Sequence, residues 1–255
     1  MEQGSGEPLV LLHGGMGDLL SWKAQLSAFA RCYRVISYSR RYSYPNRNGF
    51  LASDYSAHLD AEDLAAFLEH VGLRKVHLVG TSYGAFAALA LALKRRQLVQ
   101  SLVLAEPPVH RLVPRAAYRR FMNDVWRPAK AAFDRGDVRC AMQALADGMW
   151  GSAAFRRPSR GTLPSMMRNA RAMKALVCSS DAFPHLAPEK LKHLRVPVLL
   201  IGGEHTAAIH RLANCELARL LPRVRQETIP HASHRSPREN ARAFNRAVLD
   251  FLEKT

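Results

Sequence analysis

Residues 76 to 86 read VHLVGTSYGAF, and the rest of the chain is best understood from this junction. Apolar residues typical of a buried strand are followed by a serine between two glycines, and then by residues that favour a helix. A sharp turn forces unusual backbone angles on its central residue and brings backbones close together, so Gly80 and Gly84 supply room. We expect the hydroxyl of Ser82 to stand above a sheet edge, with the N–H of Tyr83 at a helix N-terminus. This position suits a nucleophile.

The composition describes a folded, strongly basic chain. It has 255 residues, 48% of them hydrophobic, which is enough for a sizeable core, and a formal net charge of +16. Such a charge raises the question of nucleic-acid binding. However, the arginines are spread along the chain and are not gathered in one basic tract with interleaved aromatic residues. We therefore expect no specific nucleic-acid partner, and only weak adhesion to polyanions.

The cysteines and the N-terminus indicate the compartment. The four cysteines are widely scattered and form no C-x-x-C pair, so neither a metal site nor a disulfide framework is predicted. The sequence MEQGSGEPLVLLHGG lacks the basic segment of a signal peptide, and no stretch approaches the roughly 20 apolar residues of a membrane span. The sequence predicts a cytoplasmic protein without a membrane span.

Strand-like and helical patterns alternate along the chain. The apolar runs are PLVLLH (8–13), YRVISY (33–38), KVHLVG (75–80), LVQSLVLA (98–105), VPVLLIG (196–202) and VRQETIP (224–230). Helical patterns cover residues 21–32, 53–72 and 83–96, and a final helix begins near Pro237. Because the strands are apolar nearly throughout, this alternation predicts an α/β fold in which helices cover both faces of a mostly parallel, twisted sheet.

Local signals refine two of these helices. Ser53 and Asp54 are candidate caps for the second helix, and Gly72 lies just past its end. The final helix is expected to bury the apolar residues that recur at helical spacing, namely Ala243, Phe244, Ala247, Val248 and Phe251.

The stretch from about 107 to 190 interrupts the alternation. It contains helical segments and several prolines but no convincing strand. A helical insertion on the side where parallel strands end would lie over the carboxyl edge of the sheet. We therefore expect a core of residues 1–106 and 191–255 and a helical lid of residues 107–190, or else ordinary helical packing without a gating role.

A catalytic serine needs a base, and the base needs a carboxylate partner. His234 lies in IPHASHRSP, after the last predicted strand and before the last helix, from where it can reach the same sheet edge as Ser82. His231 is a rival three residues earlier, and either can instead be a surface histidine. We favour His234, because its greater distance from the strand end lets it fold back over the edge.

With these residues in place, the chain resembles the α/β-hydrolases. HGG at 13–15, GTSYG at 80–84 and HASH before the last helix occur in the order and strand context of that family. The resemblance spans nearly the whole chain. It implies that the backbone N–H of Gly15, or of Met16, joins that of Tyr83 in an oxyanion hole, and that His13 is structural. It implies neither a metal nor a cofactor.

The acid departs from the family pattern. Most members carry an aspartate three residues beyond the glycine that ends the strand read here as VPVLLIG, but this chain has His205 there. Glu204 stands one residue early, and such an offset can turn a side chain away from the edge. Glu106 ends the strand after the nucleophile, 24 residues beyond Ser82, a placement similar to that of the acid in some haloalkane dehalogenases. Pro107 restricts its conformation. We favour Glu106 and keep Glu204 as the alternative.

Two further departures concern the start of the fold. Family members commonly carry an aspartate and an Arg-Gly pair after the second strand seen here, where this chain has Ser39 and Tyr42, and we expect Arg41 to brace the loop. The leading hairpin usual in this fold is missing, so one sheet edge is expected to be shortened or covered differently.

The favoured function is a serine hydrolase that cleaves a carboxylic ester, thioester or lactone of a small molecule through a Ser82–His234–Glu106 triad. The alternatives are a carbon–carbon bond hydrolase and a weakly active or non-catalytic binding protein on the same fold. Trp126 and Trp150 are candidate pocket residues. Further apolar lid residues suggest an acyl pocket or plain core: Phe121, Met149, Met166 and Met167. Three lid arginines can favour anionic substrates or form a solvated face: Arg156, Arg157 and Arg160.

Overall fold

A seven-stranded sheet forms the centre of the molecule. The computed structural model describes residues 1–49, 55–150 and 162–255. The strand order is β1-β3-β2-β4-β5-β6-β7, and every neighbouring pair is parallel except β1 and β3. The strands are β1 (Glu2–Gln3), β2 (Pro8–Leu12), β3 (Arg34–Tyr38), β4 (Val76–Thr81), β5 (Val99–Ala105), β6 (Val198–Gly203) and β7 (Val224–Ile229). The six predicted strands and the predicted fold class are confirmed.

Helices cover both faces of the sheet. They are α1 (Lys23–Phe29), α2 (Ala57–His70), α3 (Tyr83–Lys94), α4 (Arg115–Phe121), α5 (Arg127–Asp134), α6 (Val138–Trp150), α7 (Thr162–Arg168), α8 (Ala170–Val177), α9 (Pro188–Lys192), α10 (Ala208–Leu220), α11 (Ser236–Glu239) and α12 (Ala241–Leu252). A π-helical turn, Met122–Trp126, joins α4 to α5. Side chains of α1 and α12 pack in one core cluster, whereas α2, α3 and α10 contribute to the other.

Strand β2 shows why the strands read as continuous apolar runs. Leu9 and Leu11 belong to the core cluster on one side of the sheet, and Val10 and Leu12 belong to the cluster on the other side. Successive side chains of a strand point to opposite faces, so a strand with a core on each side needs an apolar residue at every position.

The helix ends differ in detail from the predictions. Helix α2 begins at Ala57 with Ser56 at its N-cap, and the predicted caps Ser53 and Asp54 lie outside the described residues. The predicted final helix is divided into α11 and α12, because Asn240 leaves helical geometry and its side chain accepts a hydrogen bond from Ala243 N–H. Ala243 was predicted to be buried, but it is only half-buried, and it packs against the edge of the core cluster that contains Phe244.

The first sheet edge is closed by a minimal strand. Glu2 and Gln3 pair antiparallel with Ile36 and Val35 of β3. The family's leading hairpin was expected to be missing at this edge of the sheet. The short pairing of β1 with β3 covers the edge instead.

The described residues between 107 and 190 form helices and no strand. This segment is tied to the core at Asp18, a fully buried carboxylate that accepts hydrogen bonds from Arg168 and Asn169. The hydroxyl of Tyr83 makes a second tie by donating to the carbonyl of Ala182 at 2.7 Å. Within the part of the chain that the structure describes, no helix has the length and apolar character needed to cross a membrane.

Candidate active site

Ser82 occupies a strained turn between β4 and α3. Its backbone has φ 50° and ψ −122°, a conformation that L-residues seldom adopt. A Cβ atom added at Gly80 would lie 2.6 Å from the backbone of Ala85, and one added at Gly84 would lie 2.4 Å from the carbonyl oxygens of Leu12 and His13. Both glycines are therefore required by close backbone approach, and the turn leaves the Ser82 side chain partly accessible.

Glu106 follows β5 directly and is 1% exposed. Its Oε1 accepts a hydrogen bond from Gly203 N–H at 2.8 Å, and its Oε2 accepts one from the Thr206 hydroxyl at 2.7 Å. The Nδ1 of His234 lies 2.5 Å from the same Oε2. The backbone of Glu106 has φ 49°, a left-handed conformation that L-residues seldom adopt. The carboxylate is thus held rigidly as the partner of His234.

His234 lies in the loop between β7 and α11 and is 5% exposed. Because Nδ1 donates to Glu106, the tautomer assigned from this hydrogen bond leaves a lone pair on Nε2. Among the described residues, no group is hydrogen-bonded to this buried Nε2, so the Ser82 hydroxyl is not bonded to it. Ser82 and His234 nevertheless line the same cavity. Such contacts are often loose in the free form of an enzyme and tighten with substrate.

The two alternative candidates lie elsewhere. Glu204 is half-exposed, and its carboxylate accepts the backbone N–H of His231 at 2.7 Å. The side chain of His231 is 86% exposed, and neither residue lines the cavity. The hydrogen bond from His231 N–H lowers the pKa of Glu204 below its ordinary value. The structure therefore brings Glu106 and His234 together and leaves Glu204 and His231 at the surface.

The loop after β2 packs against the nucleophile. Gly14, Gly15 and Met16 line the cavity together with Ser82 and Tyr83. A Cβ added at Gly14 would lie only 3.2 Å from the Cβ of Ser82. Tyr83 is the first residue of α3, and the first N–H groups of a helix have no partner within it. The predicted oxyanion-hole residues therefore line the same cavity as Ser82.

His13 is buried and holds the loop in place. Its Nδ1 donates to Gly14 O at 2.8 Å, and its Nε2 accepts from Arg40 N–H at 3.1 Å. Burial lowers the pKa of His13 to about 3, so the ring is neutral at neutral pH.

Arg40 supports both sides of the site, a role that sequence reasoning missed. Its fully buried guanidinium donates to Asp60 at 2.7 Å, to the Tyr55 hydroxyl at 2.8 Å and to Gly14 O at 3.2 Å. It also lies 5.2 Å from the centre of the Tyr83 ring. Burial by itself lowers the pKa of Arg40, but the combined attraction of the Tyr55 and Asp60 oxygens is the larger effect, so the pKa of Arg40 is raised above its ordinary value.

A signal for Arg40 was present in α2. Asp60 stands among Ala57, Ala61 and Leu64 on the buried face of that helix, and a buried carboxylate requires a charged partner. Arg41, which was expected to brace the loop, forms an ion pair with the partly exposed Asp63 instead of reaching the site.

The cavity beside Ser82 measures about 650 Å³. The predicted pocket residues Trp126 and Trp150 line it. Three of the four other apolar residues that were considered from the 107–190 segment also line it: Phe121, Met149 and Met166. Met167 packs against the core without lining the cavity. Four cationic side chains also line the cavity: Lys23, Arg168, Arg235 and Arg238. No carboxylate among the described residues lines it. Arg156, Arg157 and Arg160 lie outside the described residues.

Two more histidines line the cavity, and no sequence motif indicated them. His210 stacks on His234, with ring centroids 3.9 Å apart and planes 12° apart. His110 lies 6.1 Å from His210. The sequence did contain a signal for His210. Its helical spacing with Ala213 and Leu217 places it on the buried face of α10.

The same group includes three potential metal ligands. Glu106, His210 and His234 offer donor atoms within 4.8 Å of one another. However, the lone pairs of an imidazole lie in its ring plane, and the planes of these two stacked rings are nearly parallel. The two rings therefore cannot both direct a lone pair at one metal ion, as metal ligands must.

A second Ser–His–Glu arrangement runs through the sheet. Nδ1 of His77 lies 2.7 Å from the Ser101 hydroxyl, and its Nε2 lies 3.0 Å from Glu7 Oε2. Ser101 is fully buried within β5. We call these residues the inner chain, and we call Ser82, Glu106 and His234 the edge cluster.

Comparisons with known proteins agree with this architecture. A family model described as alpha/beta hydrolase fold matches residues 7–240. RutD of Stutzerimonas stutzeri (strain A1501), provisionally named a carbamate hydrolase, is 27% identical, and the match covers 96% of this chain and 91% of that protein. Carboxylesterase YbfK of Bacillus subtilis (strain 168) is 25% identical over 96% of this chain and 79% of that protein. The enol-lactonase of Burkholderia xenovorans LB400 superimposes with a TM-score of 0.79 at 20% identity, covering 99% of this chain and 95% of that one, which shows a shared fold.

Proposed function

Because this chain belongs to the alpha/beta hydrolase fold family and is a hydrolase, we propose that it is a serine hydrolase for carboxylic esters, thioesters or lactones of small molecules. The proposed triad consists of Ser82 as nucleophile, His234 as base and Glu106 as acid. We also propose that residues 107–190 act as a lid over a core of residues 1–106 and 191–255.

One observation carries this proposal. The strained turn presents Ser82 to a cavity that is also lined by His234, whose other ring nitrogen is 2.5 Å from the buried carboxylate of Glu106. A hydroxyl, an imidazole and a buried acid in this order are the components of general-base activation of serine.

The mechanism follows from these positions. Ser82 Oγ attacks the carbonyl carbon of the substrate and transfers its proton to His234 Nε2. Glu106 stabilises the resulting imidazolium through Nδ1–H. The N–H groups of Tyr83 and of Gly15 or Met16 hold the oxyanion, and losing one such donor typically costs about 3 kcal/mol of transition-state stabilisation.

The acyl-enzyme then forms and breaks. His234 returns the proton to the departing alkoxide or thiolate, so the carbon–oxygen or carbon–sulfur bond breaks and Ser82 carries the acyl group. His234 next removes a proton from water, and the hydroxide attacks the acyl carbon. Ser82 Oγ leaves and takes its proton back from His234, which releases the carboxylic acid and restores the free enzyme.

The cavity supports a small substrate with an apolar acyl group. Its volume of about 650 Å³ lies within the range of small-molecule sites, roughly 300–1,000 Å³. Aromatic and methionine side chains form much of its lid wall, among them Phe121, Trp126 and Met149. A serine at position 82 argues against the epoxide-hydrolase and dehalogenase mechanisms, which need an aspartate nucleophile.

A second candidate is a binding protein with little turnover. The observation in its favour is that His234 Nε2 is not hydrogen-bonded to Ser82. Covalent labelling separates the two candidates. A fluorophosphonate is expected to modify the wild-type protein on the peptide that contains Ser82, as read by mass spectrometry, and not the Ser82→Ala variant.

Turnover is measured beside the labelling with p-nitrophenyl esters of two to eight acyl carbons. Hydrolysis that disappears in the Ser82→Ala variant supports the hydrolase. Absence of both labelling and turnover, or labelling on another serine, would reject it.

A further inference from the structure

His110 and His210 are two buried imidazoles that the proposed mechanism does not use. Each is 1% exposed, and each lines the cavity that contains Ser82. Neither nitrogen of either ring has a hydrogen-bond partner among the described residues. Four unpaired nitrogens beside a nucleophile call for a physical explanation, because buried polar groups are nearly always hydrogen-bonded.

The two rings continue from the base into the interior of the lid. His210 stacks on His234 with centroids 3.9 Å apart, and His110 lies 6.1 Å beyond His210. His110 in turn contacts Phe121 at 4.4 Å and Phe183 at 4.8 Å between ring centroids. The row therefore begins at His234 and ends in an aromatic cluster, and all three histidines line the cavity that contains Ser82.

Both rings are neutral at neutral pH. Burial, together with the nearby His234, lowers the pKa of His110 to about 3 and lowers that of His210 well below its ordinary value. A neutral imidazole offers one N–H donor and one acceptor nitrogen. Two such rings can bind an uncharged oxygen group by donating to a carbonyl or by exchanging hydrogen bonds with a hydroxyl.

The energetic balance favours a ligand with such a group. An unpaired buried donor or acceptor is destabilising, and a matching oxygen in the substrate removes part of this penalty. A purely apolar substrate leaves the nitrogens unpaired. Sites of this kind reject analogues that lack the polar group more strongly than apolar pockets reject a missing methylene.

We propose that His110 and His210 form a specificity subsite that hydrogen-bonds a keto or hydroxyl oxygen on the acyl chain of the substrate. The proposal rests on the serine hydrolase function proposed above. The acyl chain is the fitting part, because His110 lies at the enclosed aromatic end of the row, and the acyl group stays attached to Ser82 after the leaving group has departed. The substrate class is then an oxo- or hydroxy-substituted carboxylic ester, thioester or lactone.

Matched esters test this subsite. The p-nitrophenyl esters of 4-oxopentanoate and 5-oxohexanoate are each compared with an isostere in which a methyl-bearing carbon replaces the carbonyl, namely 4-methylpentanoate and 5-methylhexanoate. Each kcat/KM is divided by the ester's own rate of hydroxide hydrolysis. We expect the wild-type enzyme to prefer at least one oxo ester by about tenfold or more.

The variants assign the preference to the two rings. His110→Phe and His210→Phe keep an aromatic ring without nitrogen, and each is expected to reduce the preference to below about threefold by lowering kcat/KM for the oxo ester. His110→Gln keeps a donor and an acceptor and is expected to retain part of the preference. Met167→Leu, a change at a neighbouring methionine that does not line the cavity, should leave the ratio unaltered. A wild-type ratio near one for both pairs, or a ratio that survives both Phe substitutions, would overturn the proposal.

A binding measurement separates this proposal from the proposed function. Ser82→Ala protein is titrated with 4-oxopentanamide and with 4-methylpentanamide, and the shift in thermal unfolding is recorded, also with His110→Phe added. A larger shift with the oxo amide that disappears with His110→Phe supports the subsite even if no ester is hydrolysed. Equal shifts with the two amides count against the subsite even if hydrolysis is observed.

Discussion

The edge cluster and the inner chain contain the same three residue types in very different settings. In the inner chain every link is hydrogen-bonded, from Ser101 through His77 to Glu7. In the edge cluster the link between Ser82 and His234 is not hydrogen-bonded. Hydrogen-bond continuity alone would therefore select Ser101 and not the proposed nucleophile Ser82.

What separates them is their position in the fold. Ser101 is fully buried in a regular strand, so no substrate can reach it. Ser82 lies where a parallel strand ends, faces a cavity and is followed by free N–H groups of a helix. Parallel sheets place such features at the carboxyl ends of their strands. We therefore propose Ser82 as the nucleophile on its access to the cavity and on the helix N–H groups beside it, and not on the hydrogen bonds within the cluster.

Replacement of each of the two serines by alanine gives the largest expected difference between the edge cluster and the inner chain. Ser82→Ala should lower kcat by about 10⁴- to 10⁶-fold, because the acyl group has no acceptor. Ser101→Ala should change kcat by less than about threefold, but it leaves the buried Nδ1 of His77 unpaired and should lower the free energy of unfolding by about 1–3 kcal/mol. Ester hydrolysis and urea unfolding measure the two effects. A comparable loss of activity in both variants would contradict the assignment.

The carboxylates give the next contrast. Glu106→Gln should lower kcat by about 10²- to 10⁴-fold, because an amide cannot stabilise the imidazolium of His234. Glu7→Gln and Glu204→Gln remove exposed carboxylates away from the cavity and should stay within about twofold of the wild-type enzyme. Steady-state kinetics on one ester compares all three. If Glu204→Gln lost activity and Glu106→Gln retained it, the acid would be Glu204.

Arg40 tests what holds the edge cluster in place. Arg40→Met leaves Asp60 buried without its charged partner and should lower the free energy of unfolding by about 3–5 kcal/mol. The matched change Arg41→Met breaks a partly exposed pair with Asp63 and should cost less than about 1 kcal/mol. Urea denaturation measures both. Equal losses in the two variants would show that Arg40 is no more important than a surface arginine.

Mild acid gives the smallest effect. Burial lowers the pKa of His13 and His110 to about 3, so the unfolded chain, with histidine pKa values near 6.5, binds more protons below pH 6.5. Stability is therefore fully present above pH 6.5 and falls as the pH decreases toward 3. Between pH 6.5 and 5.5 each buried neutral histidine should cost about 1 kcal/mol. Urea unfolding at both pH values measures the change, which should be smaller in His110→Phe. A pH-independent stability would contradict the buried neutral rings.

The parts of the molecule that the sequence predicted are those with local causes. The apolar runs of the strands and the glycines around Ser82 express requirements of neighbouring residues, and the structure has them within one or two residues of the expected bounds. Glu106 was favoured over Glu204 by its position at the end of a strand, by the restriction from Pro107 and by a placement similar to that in some haloalkane dehalogenases. The distance of 2.5 Å to His234 depends on β5 and on the loop after β7, which lie far apart along the chain.

The residues that were missed act through several distant elements at once. Arg40 contacts groups from the loops or helices around positions 14, 55, 60 and 83, so no window of sequence contains its partners. His110 and His210 become neighbours of His234 only when the lid segment and α10 meet at the cavity. Helix and strand propensities and the spacing of residues along the chain do not reveal contacts between elements that are far apart in sequence.

The contact of Gly84 with the backbone of β2 has a consequence for engineering. The turn at Ser82 meets the carbonyls of Leu12 and His13, and the three atoms nearest to a Cβ at Gly84 all belong to the backbone of these two residues. The backbone of the sheet therefore fixes the position of Ser82, whereas side chains of residues 107–190 form part of the cavity wall. Libraries randomised at Phe121, Met149 and Met166 should therefore contain many active variants with altered chain-length preference. Even the small substitution Gly84→Ala should abolish activity, because its Cβ would clash with the carbonyls of Leu12 and His13.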